Sequence, residues 1–170
     1  MLDSGFRHLF QNPKKIVSKF MDPGMAVLDL GCGTGYFTTE IAKHLNPSGK
    51  VVAVDVQQGM LDILIKKIEK QDYGKRIEIH HCQEQHLGLK QRFDFILAFY
   101  SFHEMEYLDG IIRELQEISN PGTRILIVEQ KFHVSKLMFL SFIKKMESNN
   151  FTVIEKPNIF LSRAVLMERK

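Results

Sequence analysis

The chain has 170 residues, of which 44% are hydrophobic and 25% charged, the balance of a soluble globular domain and not of an intrinsically disordered one. Its 23 basic and 20 acidic residues leave a formal net charge of +3, and Lys and Arg are nowhere dense enough for non-specific nucleic-acid binding, so a nucleic-acid partner is not expected. No apolar run approaches the roughly 18 uncharged residues of a membrane span, and the stretch from Met1 to Gln11 lacks the cationic start and apolar run of a signal peptide.

The charge is uneven: residues 131–170 hold 8 basic and 3 acidic side chains, which reads as a solvated helix face or as a surface for an anionic partner. The 2 cysteines, Cys32 and Cys82, cannot make a disulfide framework, so a cytoplasmic location is expected.

In chain order, Asn12-Pro13 predicts a helix start, with Asn as cap and Pro in the first position. Ile16, Val17 and Phe20 form its apolar face. Residues 1–24 are therefore expected to be a helical segment that packs as a lid on a domain spanning 25–170. Met25 to Leu30 reads as a strand, Thr34 to Leu45 as a helix stopped by Asn46-Pro47, and Val51 to Val56 as a strand buried on both faces. Leu61, Leu64, Ile65 and Ile68 share a helical face. Arg76 to His81 and Phe93 to Phe99 are strands; Leu108 to Ile118 is a helix closed by Asn120-Pro121-Gly122. Ile125 to Val128 is a strand, Lys136 to Ser148 a helix, and Phe151 to Glu155 and Ile159 to Met167 two strands joined by a tight Lys156-Pro157-Asn158 connection.

Alternating strands and helices predict a doubly wound α/β sheet, and the last two strands a hairpin at its edge. Right-handed crossovers then gather the loops after Leu30, Val54, His81, Phe99 and Val128 at one edge, where ligands bind.

The sharpest local signal is Asp29-Leu30-Gly31-Cys32-Gly33-Thr34-Gly35-Tyr36. Bare backbone at a helix start suits a carboxylate as well as a phosphate. The dinucleotide fingerprint Gly-x-Gly-x-x-Gly would need glycine at Tyr36, and a phosphate loop would need Gly-Lys-Ser/Thr; neither is met. An acid ahead of the glycines repels pyrophosphate but holds an ammonium. Asp55, at the end of the second strand, can accept both hydroxyls of a ribose. One end of the pocket thus suits an amino acid and the other a nucleoside, and S-adenosylmethionine carries both.

The chain resembles the class I S-adenosylmethionine-dependent methyltransferases over roughly Pro13 to Lys170. The resemblance rests on VLDLGCGTGYFT (27–38), VVAVDVQQGML (51–61), HCQEQHLG (81–88), FDFILAFYSFHEM (93–105) and ISNPGTRILIVE (118–129). Within that class it is most similar to the small-molecule group of ubiquinone and menaquinone biosynthesis. The resemblance implies a Rossmann-like, doubly wound, mostly parallel seven-stranded sheet with a C-terminal antiparallel hairpin, in three α/β/α layers. It also implies S-adenosyl-L-methionine as cofactor and S-adenosyl-L-homocysteine as product. Asp29, Gly31, Gly33 and Gly35 would cradle the methionine portion, Asp55 the ribose, and Val56 the adenine face. Where the family usually has Asp-Ala, Gln83-Glu84 stands, and the Gln83 carbonyl can accept from the adenine amine without charge. Phe99 and Tyr100 would lie beside the sulfonium and the methyl acceptor, where an aromatic face attracts a cation.

Transfer from a sulfonium needs alignment and exclusion of water, and a base where the acceptor carries a proton. His103, Tyr100 and His133 are the catalytic candidates, with Glu104, Arg7 and His8 behind them. The residues Ala98-Phe99-Tyr100-Ser101 after the fourth strand match neither the Asn/Asp-Pro-Pro-aromatic motif of adenine and amide methylation nor the Pro-Cys nucleophile of cytosine methylation. The magnesium carboxylates of catechol enzymes and the Lys-Asp-Lys-Glu set of ribose methylation are also missing. His80, His81, Cys82 and His86 have no standard zinc spacing, so no metal is expected. The expected partner is a small-molecule methyl acceptor, with a homodimer supplying part of the pocket as an option. RNA or protein methylation and a non-catalytic cofactor-binding module are the alternatives; a nicotinamide oxidoreductase ranks last.

Overall fold

In the computed structural model, residues 12–170 are described. Helix α1 (Pro13–Phe20) starts where the sequence predicts. Asn12 caps it by accepting from the Lys15 N–H, and Ile16, Val17 and Phe20 are buried. The sheet is built from β1 (Ala26–Leu30), β2 (Lys50–Asp55), β3 (Ile77–His81), β4 (Phe93–Phe99), β5 (Ser119–Gln130), β6 (Phe151–Glu155) and β7 (Ser162–Arg169). Helices α2 (Tyr36–His44), α3 (Gln58–Ile68), α4 (Leu108–Glu117) and α5 (Lys136–Glu147) connect them.

The seven strands run in the order β3-β2-β1-β4-β5-β7-β6. Pairings among the first five are parallel, whereas β7 is antiparallel to both β5 and β6. The order therefore reverses between β1 and β4, and their carboxyl ends open the crevice in which such sheets bind ligands. Continuous apolar runs such as Val51-Val52-Ala53-Val54 are wholly buried because helices cover both faces. Val27, Val51, Leu97 and Leu126 pack under α1 and α2, Ala53 packs under α3, and Leu28, Val52, Ile96 and Ile125 pack under α4 and α5.

Among the boundaries that differ from the sequence expectation, three have a clear physical reason. Helix α2 begins at Tyr36 and not at Thr34, because Gly35 precedes it in the left-handed conformation at φ +79°. Asn120-Pro121-Gly122 does not close the preceding helix but bulges from β5: Phe93 faces Ser119, and Phe95 already faces Arg124. The last strand starts at Ser162 and not at Ile159. A turn in which Ser162 N–H donates to the Ile159 carbonyl, with Leu161 at φ +52°, lengthens the connection.

Candidate functional site

The site begins with the loop from β1 to α2. The N–H groups of Gly31 and Cys32 donate to the Val54 carbonyl at 2.8 and 3.0 Å, stitching the loop to the end of β2. Gly31, Gly33 and Gly35 all have positive φ. A Cβ on Gly35 would collide with Leu64 of α3, and one on Gly31 would lie 2.6 Å from the Cβ of Ser101. Packing thus demands glycine at those two positions. At Gly33 a Cβ would meet nothing within 4 Å, so this glycine faces open space, as a ligand cradle does.

Asp55 ends β2 as expected, and its carboxylate does more than the sequence suggests. Its Oδ2 accepts from Gly33 N–H at 2.8 Å and its Oδ1 from Gln57 N–H at 2.9 Å. It holds the loop to the strand end, and each oxygen retains a lone pair for a ligand hydroxyl. Val56 follows, apolar yet 43% exposed, and its carbonyl lies 2.9 Å from His81 Nε2. Cys82 N–H donates to the Asp55 carbonyl, which brings the turn of Gln83 and His86 next to Asp55. Gln83 and Glu84 are exposed there. Glu114 anchors this loop from α4, accepting from the N–H groups of Leu87 and Gly88, each at 3.0 Å.

Asp29 lies within β1, 3% exposed. Burial pushes its carboxyl up to about 7; the hydroxyl of Thr38, donating at 2.6 Å, opposes this, and the negative Asp55 adds to it. Burial also raises both thiols, that of Cys82 to about 11 and that of Cys32 further, so neither is a reactive thiolate near neutral pH.

Phe99 and Tyr100 end β4 at the crevice. Their rings stack into the layer under α1 and α2, Phe99 lying 4.3 Å from Phe37 and 4.5 Å from Tyr100 between centroids. Tyr100 holds a left-handed backbone at φ +59°, a strained state of the kind found at functional sites. Its hydroxyl lies 2.8 Å from Ser162 Oγ, which ties β4 to β7.

His103 follows in a 3-10 turn, Phe102–Glu104. Its Nδ1 lies 2.6 Å from Glu129 Oε2, and its N–H donates to Glu129 Oε1 at 3.2 Å. Glu129, the last residue but one of β5, is wholly buried. The exposed ring of His133 stacks on His103, 6.4 Å away at an interplanar angle of 10°. The structure therefore brings His103, His133 and Tyr100 to the carboxyl ends of β4 and β5. Arg7 and His8 lie outside the described residues.

Thr38, Ser101 and Glu129 are contributors that the sequence pattern did not single out. Ser101 Oγ is buried with no hydrogen-bond partner, an orphan that usually awaits a ligand or water. Thr38 had one signal: it lies one helical turn beyond the glycines, at the spacing that faces back to the strand. His80 and His81 spend a ring nitrogen each on the carbonyls of Leu87 and Val56. Among the described residues no group of three His, Cys, Asp or Glu is placed to hold a metal.

A family model for a methyltransferase domain matches residues 21–161. A crystal structure of an S-adenosylmethionine-dependent methyltransferase from Aquifex aeolicus superposes with a TM-score of 0.84 and 25% identity, covering 97% of this chain and 93% of that one. Demethylmenaquinone methyltransferase of Lactobacillus johnsonii is 32% identical over 127 residues, or 74% of this chain and 50% of the relative. Ubiquinone/menaquinone biosynthesis C-methyltransferase UbiE of Hahella chejuensis is 31% identical over 107 residues, 62% of this chain and 43% of the relative. The chain thus spans about half the length of the curated relatives it matches. With a glycine cradle and a strand-end acid at the switch point of this sheet, and a family match over most of its length, the chain belongs to the methyltransferase domain family of the class I S-adenosylmethionine-dependent fold.

Proposed function

We propose that this protein transfers a methyl group from S-adenosylmethionine to a small molecule. The carrying observation is the cradle. Gly33 leaves open backbone beside Asp55, and Ser101 presents a buried hydroxyl without a partner on the other side of Gly31. These residues fit the cofactor's chemistry. Gly31, Gly33 and Gly35 would line the aminoacyl portion, and Asp29 beneath them would favour its ammonium. Asp55 would accept from the ribose hydroxyls, Val56 would cover one adenine face, and Gln83 with Glu84 would meet the adenine amine. Bound there, S-adenosylmethionine supplies an electrophilic methyl on a sulfonium.

The chain's own groups align the partners and exclude water. Phe99 and Tyr100 wall the crevice with aromatic surface, and His103 or His133 takes a proton where the acceptor has one to lose. The connections between strands are short among the described residues, which leaves room for a small acceptor and none for an inserted substrate domain. The relatives' names support a quinol-like ring as the acceptor. We further propose that α1, whose buried residues share a layer with Phe99 and Tyr100, acts as a lid on the crevice (residues 1–11 of the expected lid lie outside the described residues), that a second copy can complete the acceptor pocket, and that the protein works in the reducing cytoplasm, in keeping with its buried free thiols. Among the described residues no helix is long and apolar enough to cross a membrane.

The test is calorimetry with S-adenosylhomocysteine. Asp55→Ala is expected to weaken binding by about 1–3 kcal/mol, the usual cost of lost hydrogen bonds at a buried group. Unchanged affinity removes Asp55 from the site.

A further inference from the structure

We propose that Glu129 is a positioning residue that sets His103 as a general base, so that the acceptor class is one with a proton to lose, such as a phenol, an enol or an acidic C–H. This depends on the methyl-transfer reading above. A 3-10 turn that opens on Ser101 would ordinarily satisfy its first free N–H groups with the serine hydroxyl. Here Ser101 makes no capping bond. The N–H of His103 goes instead to Glu129 Oε1, and the ring Nδ1 of the same residue faces Oε2. One carboxylate thus grips both the backbone and the ring of His103, fixing ring position and tautomer together.

A buried carboxylate is costly unless its oxygens are paired. Glu129, with no exposed surface, has its partners in His103. The Nδ1–H of His103 donates to it, so the second ring nitrogen is the one that exchanges a proton. Beyond Glu129 on β5, the titratable groups facing the ring among the described residues are Glu104 on the same turn, whose Oε1 lies 3.8 Å from Nε2, and His133 on the loop from β5 to α5. Glu129 thus faces one side of the ring and Glu104 the other.

The step follows. The acceptor's O–H or acidic C–H bond breaks and its proton moves to Nε2 of His103. The electron pair left on the acceptor forms the bond to the methyl carbon, as the carbon–sulfur pair stays on sulfur. The proton returns to water when the site opens.

The experiment follows the histidine nitrogens by NMR across about pH 5 to 9, where imidazoles titrate, in labelled protein saturated with S-adenosylhomocysteine. In the wild type, neutral His103 should carry its proton on Nδ1. In Glu129→Gln its titration midpoint should fall, because the carboxylate beside the ring is gone, while affinity for S-adenosylhomocysteine stays within about twofold. Neutral His103 protonated on Nε2, or a midpoint that does not move, overturns the proposal. A pH–rate profile with a phenolic acceptor should shift its acidic limb down by the same amount. His103→Ala methylating that acceptor at the wild-type rate overturns the acceptor class. Failure of the wild type to bind S-adenosylhomocysteine at all overturns the methyl-transfer reading itself.

Discussion

Alanine in place of Gly33 and alanine in place of Gly35 look alike in sequence, but the structure separates them. Both glycines hold left-handed backbone, at φ +54° and +79°, so an added Cβ costs roughly 1–2 kcal/mol at either position. At Gly35 the new methyl also strikes Leu64, which is wholly buried, and overpacking of that kind adds about 1–3 kcal/mol. Gly35→Ala should therefore lose about 2–5 kcal/mol of stability. Gly33→Ala should lose no more than about 2 kcal/mol, since its methyl meets no protein atom within 4 Å. Its effect should fall on the ligand, with S-adenosylhomocysteine affinity down at least about tenfold, or about 1.4 kcal/mol. Urea unfolding gives the first quantity and calorimetry the second. A Gly33→Ala variant that binds like the wild type would refute the claim that the open side of this glycine seats the cofactor.

Other expectations follow from individual contacts. Asp29 is held near 7 in the folded chain, above its ordinary value. A raised carboxyl favours folding below its unfolded value, and that gain is lost as pH rises toward 7. Wild-type stability should therefore fall relative to Asp29→Asn between about pH 4 and 7, by on the order of 2–4 kcal/mol, and run parallel above; parallel curves throughout would contradict the assignment. Cofactor binding should also release a proton near neutral pH as the ligand ammonium favours ionised Asp29, which calorimetry in buffers of different ionisation heat detects. Tyr100→Phe removes the bond to Ser162 and should cost about 1 kcal/mol; if turnover falls while melting holds, the phenol takes part in the chemistry and not only in bracing β4 against β7.

Much of this layout is readable from residue type. The runs Val51–Val54 and Phe93–Phe99 read as largely buried strands, and each ends at the crevice because the chain must cross over through a helix. The three glycines mark the cradle, and their spacing to Tyr36 separates it from a dinucleotide loop. Two of the differing boundaries share a cause: Asn120-Pro121-Gly122 and Pro157-Asn158 are turn-forming residues, and nothing local says whether such residues end an element, bulge from a strand or lengthen a hairpin. The start of α2 is set locally by the left-handed Gly35, whereas tertiary pairing decides these two. Glu129 lay hidden for the same reason. It stands 26 residues from His103, within an apolar strand whose alternation gives no hint that one side chain is an acid facing another loop. Ser101 carries no signal either, since only the packing shows that its hydroxyl is buried without a partner.

The most direct measurement of the central claim is a calorimetric titration of the protein with S-adenosylhomocysteine, repeated with methylthioadenosine, which lacks the aminoacyl chain, and with NADH. One site per chain should bind S-adenosylhomocysteine, methylthioadenosine should bind more weakly, and NADH should give no binding heat. Binding of NADH with silence toward S-adenosylhomocysteine would contradict the account.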